Sequence, residues 1–187
     1  MLTKKYENKD FFNRIREITL EILDKPEKSD ITYDILDPFL ENELQLNVLK
    51  VKQRQMKYGK IWESVIGEYK NFIRLKEGHE FGFDLMNNRR KIVIELKNRY
   101  NTDNSSSKSK KYDQLSTFKE SNPDYKCVYG VINDKNPEGR CVKISHNDQE
   151  ILYISGDKLF TLIFGEDKDR VIRTVKKAVS DYTYGKI

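Results

Sequence analysis

Apolar residues recur at the spacing of an α-helix through the first 75 residues of the chain. The segment from Asn8 to Leu23 has an apolar stripe, and Pro26 marks its end. A second helix is predicted to begin after Asp37-Pro38, because proline suits the first turn of a helix. The segment from Tyr58 to Ile73 has the broadest apolar face and predicts a third helix.

The period of the pattern changes to two beyond residue 76. Glu80 to Met86 and Lys91 to Lys97 are predicted to be strands, joined by a turn of asparagines and arginines that tolerates positive φ. A polar loop then leads to a short predicted helix around Tyr112 to Phe118. The remaining pattern predicts a buried strand at Lys126 to Asp134, two short strands (CVKIS and EILYIS), a helix from Gly156 and a long helix from Lys168 to Tyr182.

These elements predict one α/β domain over residues 1–187, since no repeat or linker interrupts the chain. We expect a mainly helical part at residues 1–75 and a sheet-bearing core at residues 76–187. The core should contain a central mixed β-sheet with helices on its flanks.

Composition narrows the classes of function. A chain that is 37% hydrophobic and 35% charged is neither disordered nor membrane-spanning, and no apolar run approaches the ~18 residues of a membrane helix. The amino terminus lacks an apolar signal segment, so a cytoplasmic location is expected. Two cysteines and two histidines do not have the spacing of a zinc site. The net charge of +5 is compatible with nucleic-acid binding without demonstrating it.

Charged residues interrupt the predicted hairpin. Side chains alternate between the two faces of a strand, so Glu95 and Lys97 share one face with Lys91 and Val93, and Ile92, Ile94 and Leu96 share the other. A hairpin loop of two or four residues puts Asp84 on the Glu95 face, and the four-residue loop makes the two residues diagonal neighbours about 7–8 Å apart at the backbone. A three-residue loop would put them on opposite faces.

Two carboxylates on one face suit a hard divalent cation. Asp84 and Glu95, with the backbone carbonyl of Leu96 as a third ligand, fit Mg²⁺, and Mn²⁺ could replace it. Such an ion lowers the pKa of a bound water and neutralises charge on phosphoryl oxygens. Lys97 could orient or deprotonate the attacking water and stabilise the transition state. Hydrolysis of a phosphodiester is the reaction that this set predicts.

A plainer interpretation of the hairpin stays open on spacing alone. An acidic residue followed two positions later by lysine occurs five times in the chain. Only the Glu95 copy lies inside a predicted strand that follows an aspartate-bearing strand. The alternative is a solvent-facing hairpin with cross-strand ion pairs, each of which contributes little to stability.

The stretch GFDLMNNRRKIVIELKN resembles the core motif of the PD-(D/E)xK nuclease superfamily. Asp84 takes the first acidic position, Glu95 the second and Lys97 the lysine, while Phe83 stands where the usual proline would be. The segment ELKNRYNTDNSSS resembles more narrowly a group of type II restriction endonucleases that cut sites of the GGNCC kind. The close likeness extends from about Gly78 to Gln114.

This resemblance implies a restriction-endonuclease-like fold and a magnesium-dependent homodimer that cuts both strands of unmethylated double-stranded DNA. A cognate DNA methyltransferase would protect the host. In many relatives a glutamate on the helix before the hairpin joins the metal site. Glu63 and Glu68 are the candidates here, with Glu63 preferred.

The polar loop after the catalytic strand is the candidate for DNA contacts. Asparagine amides can pair with base edges, and serine hydroxyls and lysines with phosphates. The candidates are Asn98, Asn101, Asn104, Ser105, Ser106, Ser107 and Lys108, with Gln114 in the following helix. The alternative is an ordinary soluble surface loop.

Two other functions remain open at this point. A repair or junction-resolving nuclease on the same fold would select branched DNA rather than a sequence. A non-catalytic basic module would bind nucleic acid with hairpin charges that are merely solvated.

Overall fold

The computed structural model describes residues 8–26, 42–76, 78–101 and 103–185. Six strands form one sheet: β1 (Ile73–Arg74), β2 (Leu85–Asn87), β3 (Ile92–Arg99), β4 (Lys126–Asn133), β5 (Cys141–His146) and β6 (Gln149–Ser155). The helices are α1 (Asn8–Leu23), α2 (Asn42–Gly67), α3 (Ser105–Ser121), α4 (Gly156–Phe164) and α5 (Lys168–Thr183). The strand order is β1-β2-β3-β4-β6-β5.

The sheet is mixed, as the sequence predicts. Strand β3 pairs parallel with β4, and β4 pairs parallel with β6. The remaining neighbours, β1 with β2, β2 with β3 and β5 with β6, are antiparallel. The α/β class with a central mixed sheet flanked by helices is therefore confirmed.

Hydrophobic layers cover both faces of β3. On one face Ile92, Ile94 and Leu96 belong to a large cluster with residues of α1, α2, α4 and α5. On the other face Val93 packs in a second cluster with residues of α3, among them Leu115. The structure thus excludes a hairpin whose Glu95 side faces solvent, since α3 covers that side.

The helices of the amino-terminal part differ in extent from the prediction. Helix α1 has the predicted bounds, whereas the predicted start of a second helix after Asp37-Pro38 lies outside the described residues. Helix α2 is continuous from Asn42 and ends at Gly67, so the predicted helix to Ile73 is wrong beyond that residue. The chain turns there because Lys70 and Asn71 adopt positive φ, and it returns close to the helix: a Cβ on Gly67 would lie 2.9 Å from that of Arg74.

Helix α3 begins earlier than predicted, at Ser105 rather than near Tyr112. Asn104 caps it, because its side-chain oxygen accepts a hydrogen bond from the Ser107 backbone N–H. The serine and lysine residues predicted to form a loop are therefore the first turns of the helix that covers the Glu95 face. Within the described parts of the chain, no helix combines the length and apolar character needed to cross a bilayer.

Candidate active site

The register of the β2–β3 hairpin decides where Asp84 lies. Leu85 pairs with Ile94 and Asn87 with Ile92, so the loop has four residues, 88–91. Asp84 immediately precedes β2, and its N–H donates to the Ile94 carbonyl at 3.1 Å, which places it beside residues 94–96 of β3. The loop has four residues, as in one of the predicted alternatives, but it starts at residue 88, one residue later than predicted.

The side chain of Asp84 reaches across to β3. Its Oδ2 accepts a hydrogen bond of 2.7 Å from the Leu96 backbone N–H. Burial and the nearby Glu95 carboxylate raise the pKa of Asp84 to about 7, although the Leu96 N–H opposes this shift. Near neutral pH the Asp84 carboxyl is therefore poised to change its charge.

Glu95 is 2% exposed and is held by two ammonium groups. Its Oε1 lies 2.8 Å from Lys97 Nζ and 3.2 Å from Lys111 Nζ. Its Oε2 is buried and has no hydrogen-bond partner among the described residues. An unpartnered buried carboxylate oxygen is unfavourable, which makes this atom the natural point of attachment for a cation.

Lys97 connects Glu95 to a third carboxylate. Its Nζ lies 3.4 Å from Asp103 Oδ2, which also accepts a 2.7 Å hydrogen bond from the Tyr129 hydroxyl. Burial acts to lower the pKa of Lys97, but the carboxylates of Glu95, Asp103 and Asp84 outweigh it, so the pKa lies above its ordinary value. Lys97 is thus a charged donor, suited to stabilising negative charge rather than to removing a proton.

Sequence reasoning did not assign Lys111 to the site. Besides Glu95, its ammonium bonds the Gly82 carbonyl at 2.7 Å, so it links α3 to both β3 and the segment that leads to Asp84. Lys111 and the buried Leu115 are four positions apart on α3, which puts them on the same side of the helix. That spacing could have identified Lys111, but only if the helix had been predicted to start at Ser105.

Tyr129 and Asp103 were also missed. In the parallel register of β3 and β4, Tyr129 lies directly beside Glu95, on the same face of the sheet. Burial and the hydrogen bond to Asp103 raise the pKa of the Tyr129 hydroxyl, which therefore stays protonated as a donor. Tyr129 could be assigned to the site only once the pairing of β3 with β4 was known.

The donor set fits a hard divalent cation. Asp84 lies near enough to Glu95 for the two carboxylates to interact, and Glu95 Oε2 has no hydrogen-bond partner among the described residues. In the described parts of the chain, no group of three or more His, Cys, Asp or Glu side chains is placed to hold a metal ion. An ion here would therefore rely on two carboxylates, a backbone carbonyl such as that of Leu96, and water or substrate oxygens.

The two helix glutamates lie in different places. Glu63, on α2, forms an ion pair of 3.1 Å with Arg74, and its charge contributes to raising the pKa of Asp84. Glu68, just beyond the helix, lines a surface hollow together with Arg14 and Glu17 of α1. Of the two, only Glu63 is near enough to affect the Asp84 carboxyl.

The predicted DNA-contacting residues after β3 have mixed surroundings. The Asn98 amide donates to the Gln55 carbonyl at 3.0 Å and accepts from Asn133 at 3.0 Å, so it joins elements of the fold. Asn101 is exposed and lines a groove of about 810 Å³ between the end of β3 and helices α2 and α5. This groove lies beside the carboxylates rather than over them, since neither Asp84 nor Glu95 lines it.

Some polar side chains at the start of α3 form hydrogen bonds within the helix itself. Asn104 accepts from the Ser107 N–H at 2.8 Å and from the Ser106 hydroxyl at 3.0 Å, while Ser105 is exposed. Further along, the Gln114 amide packs so closely on Gly82 that a Cβ there would lie 2.3 Å from its nitrogen. The Gln114 amide oxygen is buried without a partner in the described structure.

A comparison with protein families gives one match. The model of the family described as Eco47II restriction endonuclease matches residues 7–182, which is nearly the whole chain. No curated protein matches the sequence.

Proposed function

The chain belongs to the Eco47II restriction endonuclease family, and on that premise we propose that it is a type II enzyme that hydrolyses phosphodiester bonds of double-stranded DNA at a short palindromic sequence. Family membership makes it a nuclease that acts on DNA. The observation that supports the catalytic assignment is the meeting of Asp84, Glu95 and Lys97 beneath α3, with one buried Glu95 oxygen left unpartnered.

Magnesium is the proposed cofactor, and manganese could replace it. Asp84, Glu95 and the Leu96 carbonyl would hold the ion, with Glu63 as a possible further ligand. When bound, the ion would supply an activated water and offset charge on the phosphoryl group. The two lysines leave Glu95 Oε2 free for this purpose, because both of them bond Oε1.

The side chains of the protein have separate tasks in this proposal. Lys97, kept charged by its carboxylate neighbours, would stabilise the negative charge that develops on the scissile phosphate. The Leu96 N–H orients the Asp84 carboxylate. Lys108 and the exposed residues Asn101 and Ser105 lie in the segment that follows the site and would contact DNA.

The proposed biological setting is a restriction–modification system. The enzyme would act in the cytoplasm as a homodimer, since cutting both strands of a palindrome is most simply done by two copies of one site. A cognate methyltransferase would modify the same sequence without forming a stable complex. A GGNCC-type sequence is the first site to test, because the ELKNRYNTDNSSS segment resembles that of type II restriction endonucleases that cut such sites.

Digestion of a mapped plasmid tests the proposal. With magnesium we expect discrete fragments whose sequenced ends share one short motif, and with EDTA we expect none. Cleavage of branched DNA without any shared motif would instead indicate a structure-selective nuclease. Binding without cleavage under any divalent cation would indicate a non-catalytic module and would refute the proposal.

Replacement of Lys97 tests the assignment of the site. Lys97→Ala should abolish cleavage, because it removes the charge beside the scissile phosphate, while duplex binding measured in EDTA stays within a few-fold of the native protein. Lys143→Ala is the control, since Lys143 is exposed and, among the described residues, forms its ion pair with Glu150 at 2.9 Å. A Lys97→Ala protein that cuts at the native rate would remove Lys97 from the mechanism.

A further inference from the structure

A second basic site lies next to the catalytic residues, on the α3 side of the sheet. It is a hollow of about 330 Å³ whose lining residues are Tyr100, Lys108, Arg140, Val142, Ile144 and Tyr153. We propose that this hollow, called here the tyrosine hollow, binds a backbone phosphate of the DNA duplex adjacent to the one that is cut. The inference rests on the proposed function and specifies which part of the substrate the hollow holds.

Lys108 supplies the first positive charge. Its Nζ lies over three tyrosine rings, 5.3 Å from the centroid of Tyr153, 5.5 Å from that of Tyr129 and 5.7 Å from that of Tyr112. No carboxylate of the described residues forms an ion pair with it. Ring faces attract an ammonium group but do not neutralise it, so Lys108 is held in place with its charge still available to an anion.

Arg140 supplies the second charge, over the same ring. Its guanidinium carbon lies 5.3 Å from the centroid of Tyr153. Its Nε and Nη2 bond Asp134 at 3.0–3.1 Å, and the Asp134 side chain is only 1% exposed. This buried carboxylate fixes the orientation of the guanidinium.

The hollow is connected to the catalytic residues through one ring. Tyr129 donates its hydroxyl to Asp103, the partner of Lys97, and the face of the same ring holds Lys108. Two side chains, Asp103 and Tyr129, therefore connect the two lysines. A DNA strand whose scissile phosphate meets Lys97 would carry a neighbouring phosphate past Lys108.

The chemistry of the hollow favours a phosphate over a base. Lys108 and Arg140 are both cationic, which suits the anionic phosphate, whereas the guanine edge that can also accept from lysine or arginine is neutral. Val142 and Ile144 form apolar walls, which strengthen the attraction between an anion and the two cations. Contacts of this kind give affinity and position without reading sequence.

The first test is the salt dependence of duplex binding, measured in EDTA so that no cleavage occurs. Lys108→Met keeps the length and apolar stem of the side chain but removes its charge. The slope of log K against log salt concentration should fall by about one, the value for one lost phosphate contact. Lys108→Arg, which retains the charge, should keep the native slope.

Lys143→Met provides the matched control. Lys143 lies on β5 between Val142 and Ile144, and its side chain points to the opposite face of the strand. Loss of its charge should therefore leave the slope unchanged. If a folded Lys108→Met protein still cuts DNA and has the native slope, phosphate binding in the tyrosine hollow is refuted and the proposed function still stands. Failure of the native protein to cut any DNA would count against the proposed function itself.

A second test locates the phosphate. Single phosphates on each side of the cleavage position are replaced, one at a time, by uncharged methylphosphonate, and binding of each duplex is measured. In the native protein we expect one flanking position to weaken binding several-fold, and in Lys108→Met the same replacement should have no further effect. Identical profiles for the two proteins would refute the proposal.

Discussion

At the scale of single residues, the site depends on how Lys97 and Lys111 share the Glu95 carboxylate. Both ammonium groups bond the same oxygen of Glu95, and the other oxygen is left without a partner in the described structure. A buried carboxylate needs such cationic neighbours, because burial of an unpaired charge is strongly unfavourable. Lys97 and Lys111 therefore have a structural role in addition to any role in catalysis.

Replacement of Lys111 should separate positioning from binding. Lys111→Met removes the ammonium that links Glu95 to Gly82, and we expect the single-turnover cleavage rate to fall by about 10–100-fold, the usual effect of losing a group that orients a metal ligand. Duplex binding in EDTA should stay near the native value. Lys110→Met is the control, since the neighbouring Lys110 is exposed; an equal loss of rate in both variants would contradict this role.

The raised pKa of Asp84 has a consequence for stability. Because the folded pKa, about 7, lies above the ordinary value of 3.8, the protonated carboxyl favours the folded state below about pH 4, and this contribution is lost as pH rises through 7. In metal-free buffer Asp84→Asn should therefore become progressively more stable than the native protein between pH 4 and pH 7, as measured by urea unfolding.

Asp113→Asn should behave in the opposite way. A hydrogen bond with His146 lowers the pKa of Asp113, so its ionised form favours the folded state and its replacement should not stabilise the protein at higher pH. A constant stability difference between Asp84→Asn and the native protein across this range would show that Asp84 does not titrate as the structure indicates.

At the scale of elements, the hairpin and α3 together build the site. The hairpin brings Asp84 to the backbone of β3 next to Glu95, and α3 covers that strand and adds Lys111. The capping asparagine of α3, Asn104, was predicted to be a DNA contact, yet its side-chain oxygen bonds the helix it begins. Capping does not exclude contact with DNA through the amide nitrogen, so the two roles need separate tests.

Two substitutions at Asn104 distinguish capping from DNA contact. Asn104→Ala should lower the free energy of unfolding by about 1 kcal/mol, the usual value of a lost cap. Asn104→Asp should keep the native stability, because aspartate caps equally well, but it should weaken duplex binding if the residue faces DNA, because it adds a negative charge. Native stability in Asn104→Ala would contradict the capping role.

The sequence predicted most elements but not the surroundings of the site. Periodicity located α1, β3, β4 and α5 well, because each has a strong apolar pattern. It missed the start of α3, since that first turn is serine and lysine and is stabilised by a cap rather than by an apolar stripe. Asp84, Glu95 and Lys97 were predicted from alternation along one hairpin, whereas Lys111, Asp103 and Tyr129 come together only through tertiary packing.

At the scale of the whole molecule, the sheet separates two unequal layers. Helices α1, α2, α4 and α5 cover one face, and α3 covers the other around the site. Helix α2 has exposed apolar residues before its last turns: Val48, Val51 and Met56 are 61%, 52% and 59% exposed. Exposed apolar residues on one helix are typical of a surface that meets another protein chain.

The proposed homodimer can be tested on this helix. The native protein should sediment with twice the 22.2 kDa mass of the chain, and Val51→Glu should shift it toward the monomer, because a buried unpaired charge opposes association. Val142→Glu is the control, since Val142 is similarly exposed, at 48%, but lies on β5. Sedimentation of Val51→Glu as the native dimer would place the interface elsewhere.

Strand β3 has hydrogen-bonded neighbours on both edges and side chains packed above and below. Its amides should therefore exchange with deuterated solvent only when the entire molecule opens, which would make them the slowest reporters in the protein. Glu95, which lies on this strand, should then keep its position until the whole fold opens. On heating, the protein should therefore stay active until it unfolds, with no stage at which it is folded but inactive.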